Sequence, residues 1–192
     1  MRKVPMVFVA LELILSLATG GCAPAPATPV DTDEVWIRRI DAGKVTIVGY
    51  TGLGGAVDIP DVLGGYPVTS IDAHAFYNCT RLTSVVIPAS VTSIGAYAFY
   101  DCTRMISISI PTSVKSIGIH AFDDCTRLTS VVIPKSVTSI GAYTFYDCSG
   151  LTTVTIPESV ARIGDHAFDD CTRLTSVVIP KSVTSIGAYT FY

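Results

Sequence analysis

The 192-residue chain carries little charge and very little tryptophan or histidine. Charged residues make up 15% of the sequence, the formal net charge is −3, and there are one Trp and three His. Proteins that bind nucleic acid neutralise phosphates with clustered Lys and Arg, whereas the 13 Lys and Arg of this chain do not predict a basic groove. We therefore expect no nucleic-acid partner.

The chain has instead a strong repeat of 23 residues. Cys, Pro and Phe each recur at this interval, as expected for a stack of like units that needs the same volume and polarity at every level. The recurring residues are Cys79, Cys102, Cys125, Cys148 and Cys171, then Pro88, Pro111, Pro134, Pro157 and Pro180, and Phe76, Phe99, Phe122, Phe145, Phe168 and Phe191. One repeat has too few apolar side chains to offset the entropy cost of ordering its backbone. The sequence therefore predicts a one-dimensional solenoid, in which each repeat, or coil, is stabilised by its neighbours.

Each coil is predicted to contain two extended segments. In the first, alternation directs Val85 and Ile87 inward, and Pro88 ends the strand because it lacks a backbone donor. A second extended piece runs from Val91 to Ile94. The stretch around Phe99 lacks both alternation and β-branched residues, so a helical turn is an alternative there. Stacking of the first segments predicts a parallel sheet.

The pattern Leu-x-x-Val-x-Ile-Pro-x-x-Val-x-x-Ile-Gly-x-x-x-Phe-x-x-Cys resembles the BspA-like leucine-rich repeats, a 23-residue class found in surface antigens of bacteria and some protozoan parasites. The resemblance covers Val45 to Tyr192, with five near-complete copies. It implies a repeat solenoid that is mainly β, a leucine-rich-repeat arc with a parallel β-sheet on the concave side and short extended or helical-turn segments on the convex side. It also implies display at a cell surface and adhesion to host proteins or other cells. It supplies no catalytic residues.

The three histidines do not predict catalysis or metal binding. His74, His120 and His166 recur two coils apart, about 10 Å in a stack of strands, which is too far for a shared metal ion. No Ser or Asp is expected to be fixed beside them as in a catalytic triad. We therefore predict no catalytic residues, no metal site and no cofactor, and a protein that is not an enzyme.

The five repeated cysteines form one column. An exported protein could use them in disulfides, and metal ligation is the other functional alternative. Side chains stacked in register point the same way, however, so their Cβ atoms stay further apart than the roughly 3.8 Å typical of a disulfide. A column also offers no tetrahedral arrangement of ligands. We interpret the cysteines as small, buried apolar residues that close each coil.

The first residues have the layout of an export signal. Arg2 and Lys3 precede an apolar run over residues 4–18, and small residues and Cys22 follow. This segment resembles a bacterial lipoprotein signal, which implies that Cys22 becomes the lipidated first residue and attaches the protein to a membrane. Ordinary cleavage with secretion and a retained anchor are the alternatives.

Four regions are predicted along the chain. They are an export signal at 1–21, a Pro/Ala-rich tether at 22–34, an N-terminal cap with an irregular first coil at 35–70, and tandem repeats at 71–192 with an incomplete last coil. The first coil contains five extra residues around Gly64 and Gly65, and Trp36 is interpreted as a lid on the first core layer. Residues 120–146 are identical to residues 166–192. This identity predicts recent tandem duplication and a longer intact array.

Two columns of aromatic residues and two columns of charged residues also recur along the repeats. The aromatic columns are His74, Tyr97, His120, Tyr143, His166 and Tyr189, and Tyr77, Tyr100, Tyr146 and Tyr192. They are interpreted either as a recognition surface or as ordinary ring packing. The charged columns are Asp101, Asp124, Asp147 and Asp170, and Arg81, Arg104, Arg127 and Arg173. We expect these opposite charges to offset repulsion within each column.

The outward residues of the predicted sheet form the candidate ligand-binding site. This ladder face comprises Ser84, Val86, Ser107, Ser109, Ser130, Val132, Thr153, Thr155, Ser176 and Val178. A flat, uncharged surface could bind an extended protein or a glycan, or could be no more than solvated strand. The sequence predicts a non-enzymatic cell-surface protein, lipid-anchored to a bacterial membrane or secreted. Its partner would be a protein or glycan on another cell or in the extracellular matrix. The alternative is a passive structural stalk or coat element of the cell envelope.

Overall fold

The computed structural model describes residues 35–192, so the predicted export signal, the tether and the lipidation site Cys22 lie outside the described residues. Within that range the secondary structure consists of strands and turns without a helix. The strands are β1 Trp36–Asp41, β2 Lys44–Tyr50, β3 Gly55–Asp58, β4 Val62–Leu63, β5 Tyr66–Ile71, β6 Leu82–Val86, β7 Ser93–Ile94, β8 Ser107–Ser109, β9 Ser116–Ile117, β10 Ser130–Val132, β11 Ser139–Ile140, β12 Thr153–Thr155, β13 Arg162–Ile163 and β14 Ser185–Ile186. No helix in this range is long and apolar enough to cross a membrane.

The described chain begins with an antiparallel hairpin. Strands β1 and β2 pair from Trp36–Tyr50 to Asp41–Lys44. Ala42 and Gly43 connect them with φ of 47° and 72°, the left-handed pair that a two-residue type I′ turn requires. The sequence identified the alternation within β2 but not strand β1. Trp36 is buried against the rings of Tyr50 and Phe76, with centroids 5.0 and 6.1 Å away, so the predicted lid is confirmed.

The extra residues of the first coil form a second hairpin. Strand β4 pairs with the start of β5 in antiparallel register. Gly64 and Gly65 connect the two strands with φ of 59° and 84°, values that glycine adopts without steric cost. The insertion is therefore absorbed locally, and the rest of β5 joins the parallel stack.

Two stacks of parallel strands run along the solenoid. One stack contains the paired strands β3-β6-β8 and β10-β12, and the other contains β2-β5-β7-β9 and β11-β13-β14. Pairing advances by one repeat, for example from Ser84 to Ser107 and from Ser130 to Thr153. The predicted mainly-β solenoid is confirmed, with two strands in each regular inner coil.

The stretch that contains the repeated Phe is a series of turns rather than a helical turn. Its amides donate to the next coil, as Phe76 N does to Ala98 O at 2.7 Å and Phe99 N to Ala121 O at 2.8 Å. Two residues of this stretch have positive φ in each of the first five copies, for example Tyr97 at 56° and Asp101 at 56°. A helix cannot include left-handed residues at that frequency, so the backbone bonds run between coils.

The core is a continuous column of phenylalanine rings. Neighbouring rings from Phe76 to Phe191 are stacked with centroids 4.8 to 5.5 Å apart. The inward-facing Leu, Val and Ile of the inner coils pack around this column. Every inner coil therefore buries its apolar side chains against the coils on both sides.

Candidate functional site

The ladder face is outward, as predicted, but it is divided. Ser84 and Val86 pair with Ser107 and Ser109 in one sheet, whereas Ser130 and Val132 pair with Thr153 and Thr155 in another. The two parts adjoin through a bond from Thr129 N to Ile106 O at 3.1 Å. Val132, in the two-stranded sheet of β10 and β12, is 65% exposed, which is a large exposure for an apolar side chain.

The last level of the ladder face departs from the prediction. Ser176 and Val178 are exposed, but residues 174–180 form no strand, so the expectation that they continue the sheet is wrong. Their sequence is the same as that of β10 and its flanks. The difference is packing, because Ile179 on the inner side is itself exposed rather than buried.

An apolar groove adjoins the ladder face where strands β8, β10 and β12 end. The groove has a volume of about 710 Å³. Its lining residues are Ile110, Thr112, Val132, Ile133, Pro134, Lys135, Thr155, Ile156, Pro157, Glu158 and Ser159. The sequence placed Val132 and Thr155 on this surface but missed the groove. The signal was the repeated Ile-Pro pair, in which Pro ends the strand and leaves apolar atoms at the edge.

The column in which His and Tyr alternate is a continuous ring stack. Centroids of successive rings from His74 to Tyr189 lie 4.4 to 5.1 Å apart, with interplanar angles of 4° to 14°. Inner rings are covered on both faces by their neighbours and present only their edges to a partner. This geometry favours ring packing over recognition through ring faces.

Two of the three histidines are held by aspartates, contrary to the sequence-based expectation. His120 Nδ1 lies 2.6 Å from Asp123 Oδ2, and His166 Nδ1 lies 2.6 Å from Asp169 Oδ2. The turn brings the two residues together, since Asp123 N donates to His120 O at 3.4 Å. The signal was the spacing His-Ala-Phe-Asp, which puts a carboxylate three residues after the imidazole.

The aspartate column does not form the expected charge pairs with arginine. Among residues 35–192, no ion pair joins Asp101, Asp124, Asp147 or Asp170 to an arginine. Partial burial and the neighbouring Asp124 carboxylate raise the pKa of Asp101 and of Asp147. These aspartates have φ of 46° to 59°, as does Asn78 at 59° in the same column. Asp and Asn tolerate the left-handed region better than other side chains. We therefore interpret this column as residues that allow the positive φ of the turn.

The cysteine column is buried and structural, as predicted. The five cysteines of the described chain are buried and form no disulfide. Four thiols donate to the Phe carbonyl of the preceding coil, for example Cys125 Sγ to Phe99 O at 3.3 Å. Burial raises the pKa of Cys125 and of Cys148. Within the range that the structure describes, no group of three His, Cys, Asp or Glu is arranged to hold a metal ion.

This solenoid is similar to known leucine-rich repeat proteins. The family model for the BspA type leucine rich repeat region matches residues 69–192 in six copies. A leucine rich repeat protein of T. pallidum is 30% identical, with a TM-score of 0.66 over 83% of this chain and 85% of its own. A leucine rich cell surface protein of Faecalibacterium prausnitzii is 34% identical, with a TM-score of 0.63 over 88% of this chain and 52% of its own. This chain therefore spans about half of that second protein.

More distant structures share the fold alone. The pneumococcal vaccine antigen PcpA is 22% identical, with a TM-score of 0.59 over 79% of this chain and 44% of its own. No curated protein sequence matches the chain. The match of six repeat copies over residues 69–192, together with the T. pallidum structure, shows that the chain belongs to the BspA-type leucine-rich repeat family.

Proposed function

We propose that this protein is a non-enzymatic surface protein that binds another macromolecule through its ladder face and the adjoining groove. The observation that carries the proposal is the apolar groove of about 710 Å³, which includes Val132 and Thr155 of the ladder face. Monomeric proteins seldom leave large contiguous apolar surface uncovered unless it is used for binding. Lys135 and Glu158 flank the groove and supply a polar rim.

The proposed partner is a protein or glycan on another cell or in the extracellular matrix. Strand residues with small side chains allow close approach of an extended chain, and the groove offers depth for an apolar group. The Faecalibacterium relative is described as a cell surface protein, which supports placement of this chain at a cell surface. We further propose that lipidation of Cys22 attaches it to a bacterial membrane.

A binding screen tests the proposal directly. The purified protein would be presented with extracellular matrix proteins and bacterial surface glycans, and saturable binding to at least one is expected. Replacement of Ser107, Ser109, Thr153 and Thr155 by Glu should weaken that binding at least tenfold, because each carboxylate would have to be desolvated in the interface. Unchanged binding by this variant would disprove the assignment to the ladder face.

A matched control has the same number of new charges in or next to strands β9, β11 and β14, which belong to the other stack of strands. Ser116, Thr138, Ser139 and Ser185 are also exposed hydroxyl residues, and their replacement by Glu should leave binding within twofold of the wild type. Absence of saturable binding in the whole screen would instead favour a passive stalk or coat element.

The anchor requires a separate experiment. Cells that express the full chain would be labelled with a radioactive fatty acid, and the wild-type protein should incorporate the label. A Cys22→Ala variant should not. Label that persists in the variant would refute lipidation at this residue, without affecting the binding proposal.

A further inference from the structure

The groove beside the ladder face lies where two neighbouring strands separate. Strands β8 and β10 are joined near their amino ends, where Thr129 N donates to Ile106 O at 3.1 Å, but they belong to different sheets. Their carboxyl ends lead to Ile110 and Ile133, which both line the groove. The groove is therefore a gap in the stack of coils, at a place where a regular stack would have backbone hydrogen bonds.

The backbone amide of the Ile before each Pro reports on this gap. Where neighbouring coils are regularly paired this amide donates to the next coil, as Ile133 N does to Thr155 O at 3.1 Å. Among the residues that the structure describes, the amides of Ile110 and Ile156 have no acceptor. Both residues line the groove, and Ile156 is only 8% exposed. Buried backbone donors are almost always paired with protein, water or a ligand, so these two amides are candidates for ligand contacts.

The spacing of the two amides indicates the shape of a ligand. Ile110 and Ile156 occupy equivalent positions two coils apart, which is about 9.6 Å in a stack of strands. In a polyproline II helix the carbonyls of every third residue point the same way and repeat after about 9.3 Å. In a β-strand the groups on one side repeat after about 6.6 Å, which does not match. A segment of the polyproline II type can therefore present two carbonyls to the two amides at once.

The lining of the groove suits the same ligand. Its apolar surface includes Val132, Ile133, Pro134 and Pro157, aliphatic side chains against which proline rings can pack. A polyproline II segment has no internal hydrogen bonds, so its carbonyls are available to a protein. Its backbone is already extended before binding, which lowers the entropy cost of association.

We propose that the groove binds a proline-rich segment of a partner protein in the polyproline II conformation, with the Ile110 and Ile156 amides donating to two carbonyls three residues apart. The segment runs along the solenoid axis, across the ends of strands β8, β10 and β12. The inference rests on the binding function proposed above and goes further, because it selects a protein over a glycan and names the conformation that is recognised.

Titration of the full chain with an oligoproline peptide of about nine residues tests the proposal. Saturable binding is expected, about tenfold tighter than that of a Gly-Ser peptide of the same length, because the flexible peptide loses more entropy on ordering. Fluorescence anisotropy of the labelled peptides measures both affinities. Equal affinities, or no saturable binding of the oligoproline, would show that the groove does not recognise this conformation.

Two variants determine where the peptide binds. Val132→Glu places a carboxylate in the groove, where it would have to be desolvated, and it should weaken oligoproline binding by about tenfold. Ile119→Glu changes an aliphatic residue that is 48% exposed and lies outside both the groove and the ladder face, and it should leave the affinity within about twofold. If Val132→Glu binds the peptide as well as Ile119→Glu does, the assignment to the groove is wrong.

Amide hydrogen exchange, measured by NMR, tests the two donors without a substitution. In the free protein the amides of Ile110 and Ile156 should exchange about tenfold faster than that of Ile133, which is bonded to Thr155 O. Added oligoproline should slow the exchange of the first two and change that of Ile133 least. Equal protection of all three amides in the free protein would overturn the proposal.

The outcomes separate this inference from the function on which it rests. The screen of matrix proteins and glycans can yield a ligand that requires Ser107, Ser109, Thr153 and Thr155 while oligoproline does not bind. In that case the ladder face is a binding site and only the choice of ligand is wrong. If neither a screened macromolecule nor oligoproline binds, both proposals fail.

Discussion

Residues 120–146 and 166–192 have the same sequence but different surroundings. The first copy contains strands β10 and β11, whereas the second contains only β14. Ile140 is 4% exposed and its counterpart Ile186 is 48% exposed, and Phe145 is fully buried while Phe191 is 45% exposed. Since the side chains are identical, the difference comes only from neighbouring coils.

This comparison indicates how stability is distributed along the solenoid. Phe145 stacks between Phe122 and Phe168, whereas Phe191 has a described partner on one side only. Backbone amides follow the same rule, because Phe145 N donates to Ala167 O in the next coil at 2.9 Å. A repeat of this kind becomes a strand and a core layer when coils pack on both of its faces.

The largest expected effect is the difference between two Phe substitutions. Phe145→Ala should lower the free energy of unfolding by about 3–5 kcal/mol, because it leaves a cavity between two rings. Phe191→Ala should cost less than about 2 kcal/mol, since much of that side chain is already in water. Urea unfolding of both variants measures the difference. Equal losses would contradict the interpretation that the neighbouring coils determine how much each Phe contributes to stability.

A smaller loss of stability is expected at the repeated glycine. Here the substitution in the second copy should cost more than the one in the first copy, which is the reverse of the order expected for Phe. A Cβ on Gly187 would lie 2.4 Å from Asp165 N, whereas a Cβ on Gly141 would approach only side-chain atoms of Ile119 and Thr144 within 3.3 Å. Gly187→Ala should therefore cost about 1–3 kcal/mol and Gly141→Ala less than about 1 kcal/mol. Thermal or urea unfolding of the two variants measures these losses. A larger loss for Gly141→Ala than for Gly187→Ala would contradict the prediction.

The smallest effect concerns the cysteines of the two copies. Cys125 is completely buried, while Cys171 is slightly more accessible and burial raises its pKa to about 12. Because the thiolate is the reactive form, both should resist alkylation at pH 8 in the folded protein. Cys171 should react a few times faster than Cys125, as measured by mass spectrometry of alkylated peptides. A rapid reaction at Cys125 would show that the inner coil opens readily.

Much of the fold was predictable because residues that recur every 23 positions identify the inward side of each coil. The inward positions of Val85 and Ile87, the buried cysteine column and the lid formed by Trp36 are all confirmed. Strand β1 was not predicted, since an edge strand with Arg38 and Arg39 has weak alternation. The helical turn considered around Phe99 is absent because two left-handed residues interrupt each turn.

The candidate surface was predictable only in part. Alternation assigned the ladder residues to an outward face, but the groove beside Val132 depends on where three strands end together. The His–Asp pairs depend on the path of a turn whose φ values cannot be read from spacing alone. The absence of the expected Arg–Asp ion pairs also depends on turn geometry, because the aspartates occupy left-handed positions of the turn.

The sequence by itself determined the period, the identity of the core residues and the family, because a stacked coil needs the same side chain at each inward position. The tertiary structure decided which identical repeats become strands, where the groove lies and which histidines have a carboxylate partner. These features depend on contacts between coils and on turn geometry. Two segments with one sequence can therefore differ in structure when their neighbours differ.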